Sequence, residues 1–410
     1  MVASAEVAAA VADAHRREWA FVLAATVRVA TDLDAAEEAV QDAYASALAT
    51  WDERGIPRNV GAWLTTAARR RALDLRRRAV VADRALPQLL PLEFDDEAGP
   101  IPDDRLRLIF TCCHPVLSEE AQVALTLRLI CGLSTVEVAR AFLVSEPTMA
   151  ARITRAKKRI AAAHIPYRNP EPEDLPERLQ PVLSVVHLAY TTGHTAARGQ
   201  DLMRRGLAER GLELALLLRQ LLPREVEVAG LLALILLTDA RRTARVDQDG
   251  VPVLLPDQDR SVWDRRQVTA GLRVLSQAIE LGRPGRFTVM AAIAAVHDEA
   301  STWADTDWVQ IRGLYNVLQD VWPSPIVALN RAIAIGFADG PDAGLAELDC
   351  LTIEPVLAGY GYLAAARADF LTRLSRFAEA RDAYQEALLM TGNAAERRLL
   401  ERKLADLPPG

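Results

Sequence analysis

Residues 133–160, LSTVEVARAFLVSEPTMAARITRAKKRI, leave this part of the chain few ways to fold. Ser134 stands three residues before Glu137, a capping box that starts a short helix with Val138, Ala139 and Phe142 on its apolar side. Only Leu143 and Val144 separate it from Ser145, which caps a second helix whose first turn tolerates Pro147 because no backbone donor is needed there. At about 100° per residue, Met149, Ile153, Ala156 and Ile160 form one narrow apolar stripe. Thr148, Arg152, Arg155 and Arg159 fall on the opposite side, with Lys158 beside them. An amphipathic helix with a solvated basic face would show the same pattern. Two capped helices joined by so short a turn favour a helix-turn-helix, whose second helix lays its cations along the major groove. Leu143 holds the turn position that glycine usually takes.

A chain of 410 residues predicts two or three domains with ample buried cores. Half of it is hydrophobic but only 5% is aromatic, and alanine, leucine and arginine dominate, so the expected fold class is all-α. Only Lys157, Lys158 and Lys403 are lysines. The net charge of −7 argues at first against a nucleic-acid partner. Up to Arg168, however, acidic and basic residues are equal in number, so the whole excess lies beyond that point and basic clusters survive before it. The N-terminus has no basic leader, and Glu6 and Asp13 interrupt its alanines, so a cytoplasmic protein with no membrane partner is expected. The longest apolar run, 228–237, is too short to span a bilayer. Cys112-Cys113-His114 looks like a metal fragment, but adjacent ligands strain a tetrahedral site and no CxxC partner follows. Core thiols are the better reading, with no metal and no cofactor.

In chain order, residues 6–30 read as a helix carrying Trp19, Phe21 and Val22. Residues 34–51 read as a second, started by Asp34 and Glu37, with Ala36, Val40, Tyr44, Ala47, Leu48 and Trp51 on its apolar face and Glu37, Glu38 and Asp42 along an acidic outer edge. Taken alone, that edge reads as a solvated surface. Gly55 and Pro57 place a loop at 52–60. In a third helix, 61–78, Leu64, Ala68 and Leu75 share one face, and Arg69, Arg70, Arg76 and Arg77 lie on the far side. Four guanidinium groups so close repel one another unless a polyanion neutralises them, which points to phosphate. Arg71 falls nearer the apolar face. Trp51 and Trp63 flank the loop; stacking on an unpaired base and core packing are both open, the core more so for Trp51. Residues 86–104 form a proline-broken acidic linker, and helices resume at Arg105, with Gly132 as the stop before the helix-turn-helix.

An acidic-edged helix, a loop, an arginine-rich helix, an acidic linker and a helix-turn-helix, in that order, resemble an extracytoplasmic-function sigma factor of bacterial RNA polymerase. The matching stretches are DAAEEAVQDAY (34–44) and AWLTTAARRRALDLRRR (62–78) for region 2, and residues 117–160 for region 4. The resemblance covers about residues 7–165. It implies partners, core RNA polymerase and promoter DNA, and it implies roles. Core polymerase would meet the 34–51 helix through Asp34, Glu37, Glu38, Gln41 and Asp42. Trp63, Arg69, Arg70, Arg76 and Arg77 would act at the −10 element, and Ser145, Thr148, Arg152, Arg155, Lys158 and Arg159 at the −35 element. Arg70 departs from the family's frequent asparagine, as Leu143 does from the turn glycine. The expected division is region 2 over 6–85, the linker 86–104, region 4 over 105–165, a hinge 166–176 and an extension 177–407.

Breaks at Pro223, 250–256, Pro284-Gly285, Pro323 to Pro325 and Gly340-Pro341 punctuate the extension as stacked helical hairpins. In its best unit, 364–391, Ala368, Leu371, Ala380, Tyr384 and Ala387 stand at tetratricopeptide spacing, whereas 327–348 matches poorly. Residues 239–250, 254–265 and 324–335 resemble the sigma subgroup with a long tetratricopeptide-like extension, which would regulate or support activity and offer a surface to another protein. Asp257, Asp259 and Asp264, with His187, His194 or His297 as bases, constitute an enzyme reading, but no phosphate loop, nucleophile elbow or metal spacing accompanies them. Asp–Arg pairs around a buried Trp263 account for the same residues, and no catalysis is expected. The alternative function is a one-component helix-turn-helix regulator with a peptide-sensing repeat domain, which would have no need of the 34–78 segment.

Overall fold

The computed structural model describes residues 4–30, 32–82, 104–142, 144–163, 165, 167–171, 173–195, 203 and 205–408. Residues 86–103 of the expected 86–104 linker and the turn residue Leu143 lie outside the described residues, and the linker's last residue, Asp104, opens a helix instead. Two compact units emerge, Met1–Leu188 and Ala189–Gly410, and the division falls inside one helix. The fold is all-α. Among the described residues no helix is long and apolar enough to cross a membrane.

The first unit starts with α1 (Ala5–Val27), α2 (Leu33–Arg54) and α3 (Val60–Ala82). Each begins at a polar side chain that accepts a free backbone N–H: Ser4 from Val7, Asp32 from Ala35, and Asn59 from Ala62. The second start is therefore Asp32, not Asp34, because only a residue outside the helix can turn its carboxylate back onto the first turn. Val22, Leu23, Ala36, Val40, Leu64 and Ala68 are buried where the three helices meet. The alanines let the axes approach closely. Leu48, expected in the core, is 39% exposed. Next come α4 (Asp104–Cys112), α5 (Glu119–Leu129), α6 (Thr135–Phe142) and α7 (Glu146–Ala162). From Leu106 to Cys112 every residue of α4 is buried, so this short helix is core on all sides, packed against α1. Cys112 and Cys113 are buried thiols, and burial pushes the Cys113 thiol up to about 12. Gly132, at φ +69°, ends the α5 segment in the left-handed conformation expected of it. A Cβ there would lie 3.0 Å from the Trp19 ring, so glycine also permits the α5–α6 connection to close onto α1.

α8 (Leu175–His194) spans the division between the units. The second unit continues with α9 (Arg205–Leu221), α10 (Val226–Asp239), α11 (Arg265–Leu281), α12 (Arg286–Glu299) and α13 (Trp308–Val321). α14 (Pro325–Ala338), α15 (Pro341–Cys350), α16 (Gly361–Arg373), α17 (Phe377–Met390) and α18 (Ala394–Ala405) complete it. α10, apolar nearly all round, is sheathed by α9, α11 and α12. The breaks read from prolines and glycines all separate helices. Among the further breaks, 300–307 carries neither proline nor glycine, and 351–360 holds Pro355 and Gly359 only from its middle onward, so both escaped the sequence reading. Ala368, Leu371, Ala380, Tyr384 and Ala387 are buried where α16 meets α17. From α9 to α18 each helix packs on the next, including α14 with α15, which matched the repeat pattern poorly. There the two helices meet through glycine: a Cβ on Gly344 would meet the Gly336 Cα at 2.5 Å and the Phe370 ring at 2.6 Å. Arg402 of α18 pairs with Asp247 at 2.8 Å, which ties the last helix to the loop after α10. An open solenoid has no contact of that sequence separation.

Candidate nucleic-acid interface

The helix-turn-helix is built by its caps. The Ser134 N–H donates to Glu137 Oε2 at 2.7 Å, and the Glu137 N–H donates back to Ser134 Oγ at 3.2 Å. Ser145 accepts from the Thr148 N–H at 3.4 Å, and the two hydroxyls lie 2.8 Å apart. Met149, Ile153, Ala156 and Ile160 are all buried, so the stripe on α7 is its core side. Arg155, Lys158 and Arg159 are exposed. Arg152 is not equivalent to them. It pairs with Glu120 at 3.1 Å and lies 5.6 Å from the Phe142 ring, with its side chain only 24% exposed. Glu120 of α5 reaches it from a neighbouring helix, a partner no single-helix wheel reveals.

α3 sorts its arginines in the same way. Arg70, Arg76 and Arg77 face solvent, Arg77 beside Asp74 at 3.2 Å. Arg69, expected on that exposed face, is half-buried and donates to the Ala25 carbonyl at 3.1 Å, closing the C-terminal end of α1. Arg71 bridges to Asp42 at 2.5 Å and Glu38 at 3.5 Å, so the acidic edge of α2 is partly neutralised from α3. Trp63 is half-buried and meets the buried Trp51 edge-on, with centroids 5.3 Å apart.

Glu37 is the main correction on α2. It is 5% exposed, and its carboxylate pairs with Arg128 of α5 at 2.9 Å and with Lys157 of α7. Lys157, itself 9% exposed, also reaches Asp34 at 2.6 Å. Burial works to strip the Lys157 charge, but Glu37 and Asp34 outweigh it and hold the pKa above the usual lysine value. Asp34, Glu38, Gln41 and Asp42 remain exposed, whereas Glu37 offers nothing to an outside partner. At 100° per residue Glu37 sits only about 20° beyond Tyr44, at the rim of the apolar face rather than on the outer edge. Lys157 and Arg128 were not singled out from sequence. The available signal was Lys157 standing about 40° from Ile153, against the apolar stripe.

Around the same join, the Trp19 indole donates to the Leu129 carbonyl at 3.1 Å, and the Tyr167 hydroxyl donates to the Ala24 carbonyl at 3.1 Å. Burial holds that hydroxyl well above its usual pKa. Among the described residues no group of histidine, cysteine and carboxylate side chains is disposed to hold a metal. In the second unit Trp263 is buried beneath Arg260, 4.7 Å from its ring. The expected Asp–Arg pairs are not what fixes this loop. Arg260 donates to the carbonyls of His297 and Ala300, while Asp259 and Asp264 cap the following turns. His194 and His297 are driven down to about 2 and about 3, chiefly by burial, so neither is a proton carrier near neutrality.

Residues 15–80 match the family model for sigma-70 region 2, and residues 107–160 match that for sigma-70 region 4. The chain belongs to the sigma-70 family. As an extracytoplasmic-function type sigma factor it directs transcription initiation, and its role is regulatory rather than catalytic. Sigma-70 membership implies interaction with core RNA polymerase and promoter DNA. Residues 178–279 match a family of unknown function (DUF6596), so the all-helical extension is a further module on the sigma-70 pair. The chain is also similar to an uncharacterized protein of Rhizobium meliloti (strain 1021), 40% identical over 394 residues, which covers 94% of this chain and 93% of that protein. No solved structure matches it.

Proposed function

We propose that the solvent-facing cations of α3 and α7 are the promoter-reading groups and that the outer edge of α2 is the polymerase-binding surface. On α7, Arg155, Lys158 and Arg159 serve the −35 element, with Ser145 and Thr148 at the capped N-terminus next to the backbone phosphates. On α3, Arg70, Arg76 and Arg77 serve the −10 element, and Trp63 at the head of the helix is the aromatic face available to an unstacked base. Asp34, Glu38, Gln41 and Asp42 meet core polymerase. The observation that carries this reading is the capped pair α6–α7 with a buried stripe and a cationic outer side. The extension is proposed to work as a helical-repeat, tetratricopeptide-like module that engages another protein and supports initiation. The regulator alternative is less economical, because it leaves the region 2 match without a use. Run-off transcription with purified core polymerase on DNA from upstream of the chain's own gene tests the reading. A defined transcript that requires the added chain is the expected result, and its absence removes the assignment.

A further inference from the structure

Beyond Arg168 acids outnumber bases, and along the later helices the arginines find them. Arg331 holds Glu347 at 3.1 Å, Arg367 holds Asp349 at 2.8 Å, Arg373 holds Asp369 at 2.9 Å and Arg376 holds Glu379 at 2.6 Å. α11 breaks that pattern. Its buried side, Val268, Gly271, Leu275 and Ala278, packs on α10 and α12. The solvent-facing arc opposite carries Arg265, Arg266 and Arg273, with Arg283 just past the helix end, and the helix has one acid, Glu280. Arg266 and Arg273 fall within about 20° of each other around the helix and about 10 Å apart along it. Among the described residues neither of these side chains, nor that of Arg283, has a carboxylate partner.

The same arc is not purely polar. Ile279 is 53% exposed on it, and Val262, in the turn that leads into α11, is 50% exposed. That turn is no loose end. The Thr243 hydroxyl donates to the Val262 carbonyl at 3.0 Å, Arg260 is fixed by the carbonyls of His297 and Ala300 at 2.7 and 2.6 Å, and Trp263 is buried. A valine held out in water gains nothing for the fold, but a tip already ordered loses little entropy when a partner covers it.

We infer that the outer arc of α11, from Val262 to Arg283, is a docking surface for an acidic, apolar-bearing element of core RNA polymerase. The inference rests on the proposed sigma reading and names the protein that the extension engages. Two macromolecules come with sigma-70 membership, core polymerase and promoter DNA. DNA meets outlying cations through its phosphates, which would leave Val262 and Ile279 in water. A protein surface supplies carboxylates and hydrocarbon together, and arginine interleaved with apolar side chains is the composition of protein interfaces. Unpaired guanidinium groups in an acidic module also steer. They make α11 the side from which an acidic element is drawn in, while the surrounding carboxylates disfavour other approaches.

Arg266→Glu/Arg273→Glu in the full chain reverses two charges whose side chains hold no partner in the fold, so circular dichroism should match the wild type. The dissociation constant for core polymerase is expected to rise at least tenfold at ~0.1 M salt, and the gap to wild type to shrink at ~1 M, where the Debye length falls to about 3 Å. Ile279→Ser, which removes hydrocarbon only, is expected to weaken the same binding at least threefold at both salt concentrations. Wild-type affinity in both variants, with all three chains active in run-off transcription, overturns the docking surface and leaves the sigma reading standing. A loss confined to retention of duplex DNA without polymerase, with core affinity unchanged, also overturns it and assigns these arginines to phosphate. A wild-type chain that neither binds core polymerase nor initiates removes the sigma reading and this inference with it.

Discussion

Glu227, in the first turn of α10, caps a helix other than its own. Its carboxylate accepts from the Gly285 N–H at 3.1 Å, the Phe287 N–H at 2.7 Å, the Thr288 N–H at 3.2 Å and the Thr288 hydroxyl at 2.6 Å. These groups form the N-terminus of α12, whose own cap position is Gly285 and supplies no side chain. A local serine cap is sterically closed, since a Cβ at Gly285 would lie 2.7 Å from the Glu227 Cδ. Glu227→Ala therefore leaves the first turn of α12 without an acceptor and removes a negative charge from the positive end of its dipole. A bond to a charged group contributes about 1.5–3 kcal/mol, but the carboxylate is half-buried and water replaces part of the loss. The bonds also share one anchor and do not add. A loss of about 3 kcal/mol is expected. For a unit of this size that corresponds to a fall of roughly 6–12 °C in the melting temperature of the second unit. Glu227→Gln keeps one accepting oxygen and turns an NH2 toward a donor, so it should fall between wild type and alanine. Scanning calorimetry of the full chain, with hydrogen exchange at residues 287–291 to localise the change, reads both variants. An alanine variant within about 1 °C of wild type and with unchanged exchange at α12 would refute the capping argument.

Arg155→Ala should weaken promoter binding by about 1–3 kcal/mol if the guanidinium meets a base edge, measured by titrating matched and scrambled −35 fragments; an equal loss on both would make it a phosphate contact. Arg152→Ala should instead lower stability with little direct effect on DNA, because its charge is already spent on Glu120. Asp42→Arg should reduce co-elution with core polymerase while circular dichroism stays helical, although it also repels Arg71; unchanged co-elution would remove α2 from the interface. Acid should destabilise the second unit. Burial holds His194 at about 2 and His297 at about 3, below the usual 6.5, so each contributes stability above pH 6.5 that is lost as pH falls below it. Asp298, raised by burial to about 6, works the other way: its contribution is full below 3.8 and is lost as pH rises through 6. Two histidines against one carboxylate leave a net loss of roughly 1.4 kcal/mol per pH unit between pH 6 and 4, and urea midpoints flat across that range would contradict it.

The helices were legible because their signals are local. Caps at Ser134 and Ser145, a stop at Gly132 and stripes such as Met149–Ile153–Ala156–Ile160 lie within a few residues and keep their meaning in the fold. The site was legible only in outline, because the state of a charged side chain is settled by residues far away in sequence. Glu37 and Lys157 are 120 positions apart and Arg69 and Ala25 are 44 apart, and nothing in a helical wheel joins them. Arg71 shows the same limit from the other side. Its place near the apolar face was readable, but its purpose, bridging to Asp42 and Glu38, required the packing of α3 on α2. In the extension the helix pairing was legible where Ala380 and Tyr384 are buried on one face, and not where Gly336 and Gly344 meet through backbone contact against Phe370 of a later helix.

The division of labour among the arginines follows from desolvation. A cation meant for DNA must stay hydrated until the phosphates arrive, since the affinity it contributes comes largely from releasing counterions it has not yet displaced. Arg155, Lys158 and Arg159 meet that condition on α7, as Arg70 and Arg76 do on α3. A cation meant to join helices must surrender its water, and it does so only where carbonyls or carboxylates are fixed to receive it. Arg69 has the end of α1, Arg128 and Lys157 have Glu37, and Arg260 has two carbonyls at the end of α12. The two classes alternate around the same helices, so neighbouring positions on α7 carry opposite fates: Lys157 turns inward to α2 and Lys158 outward to solvent.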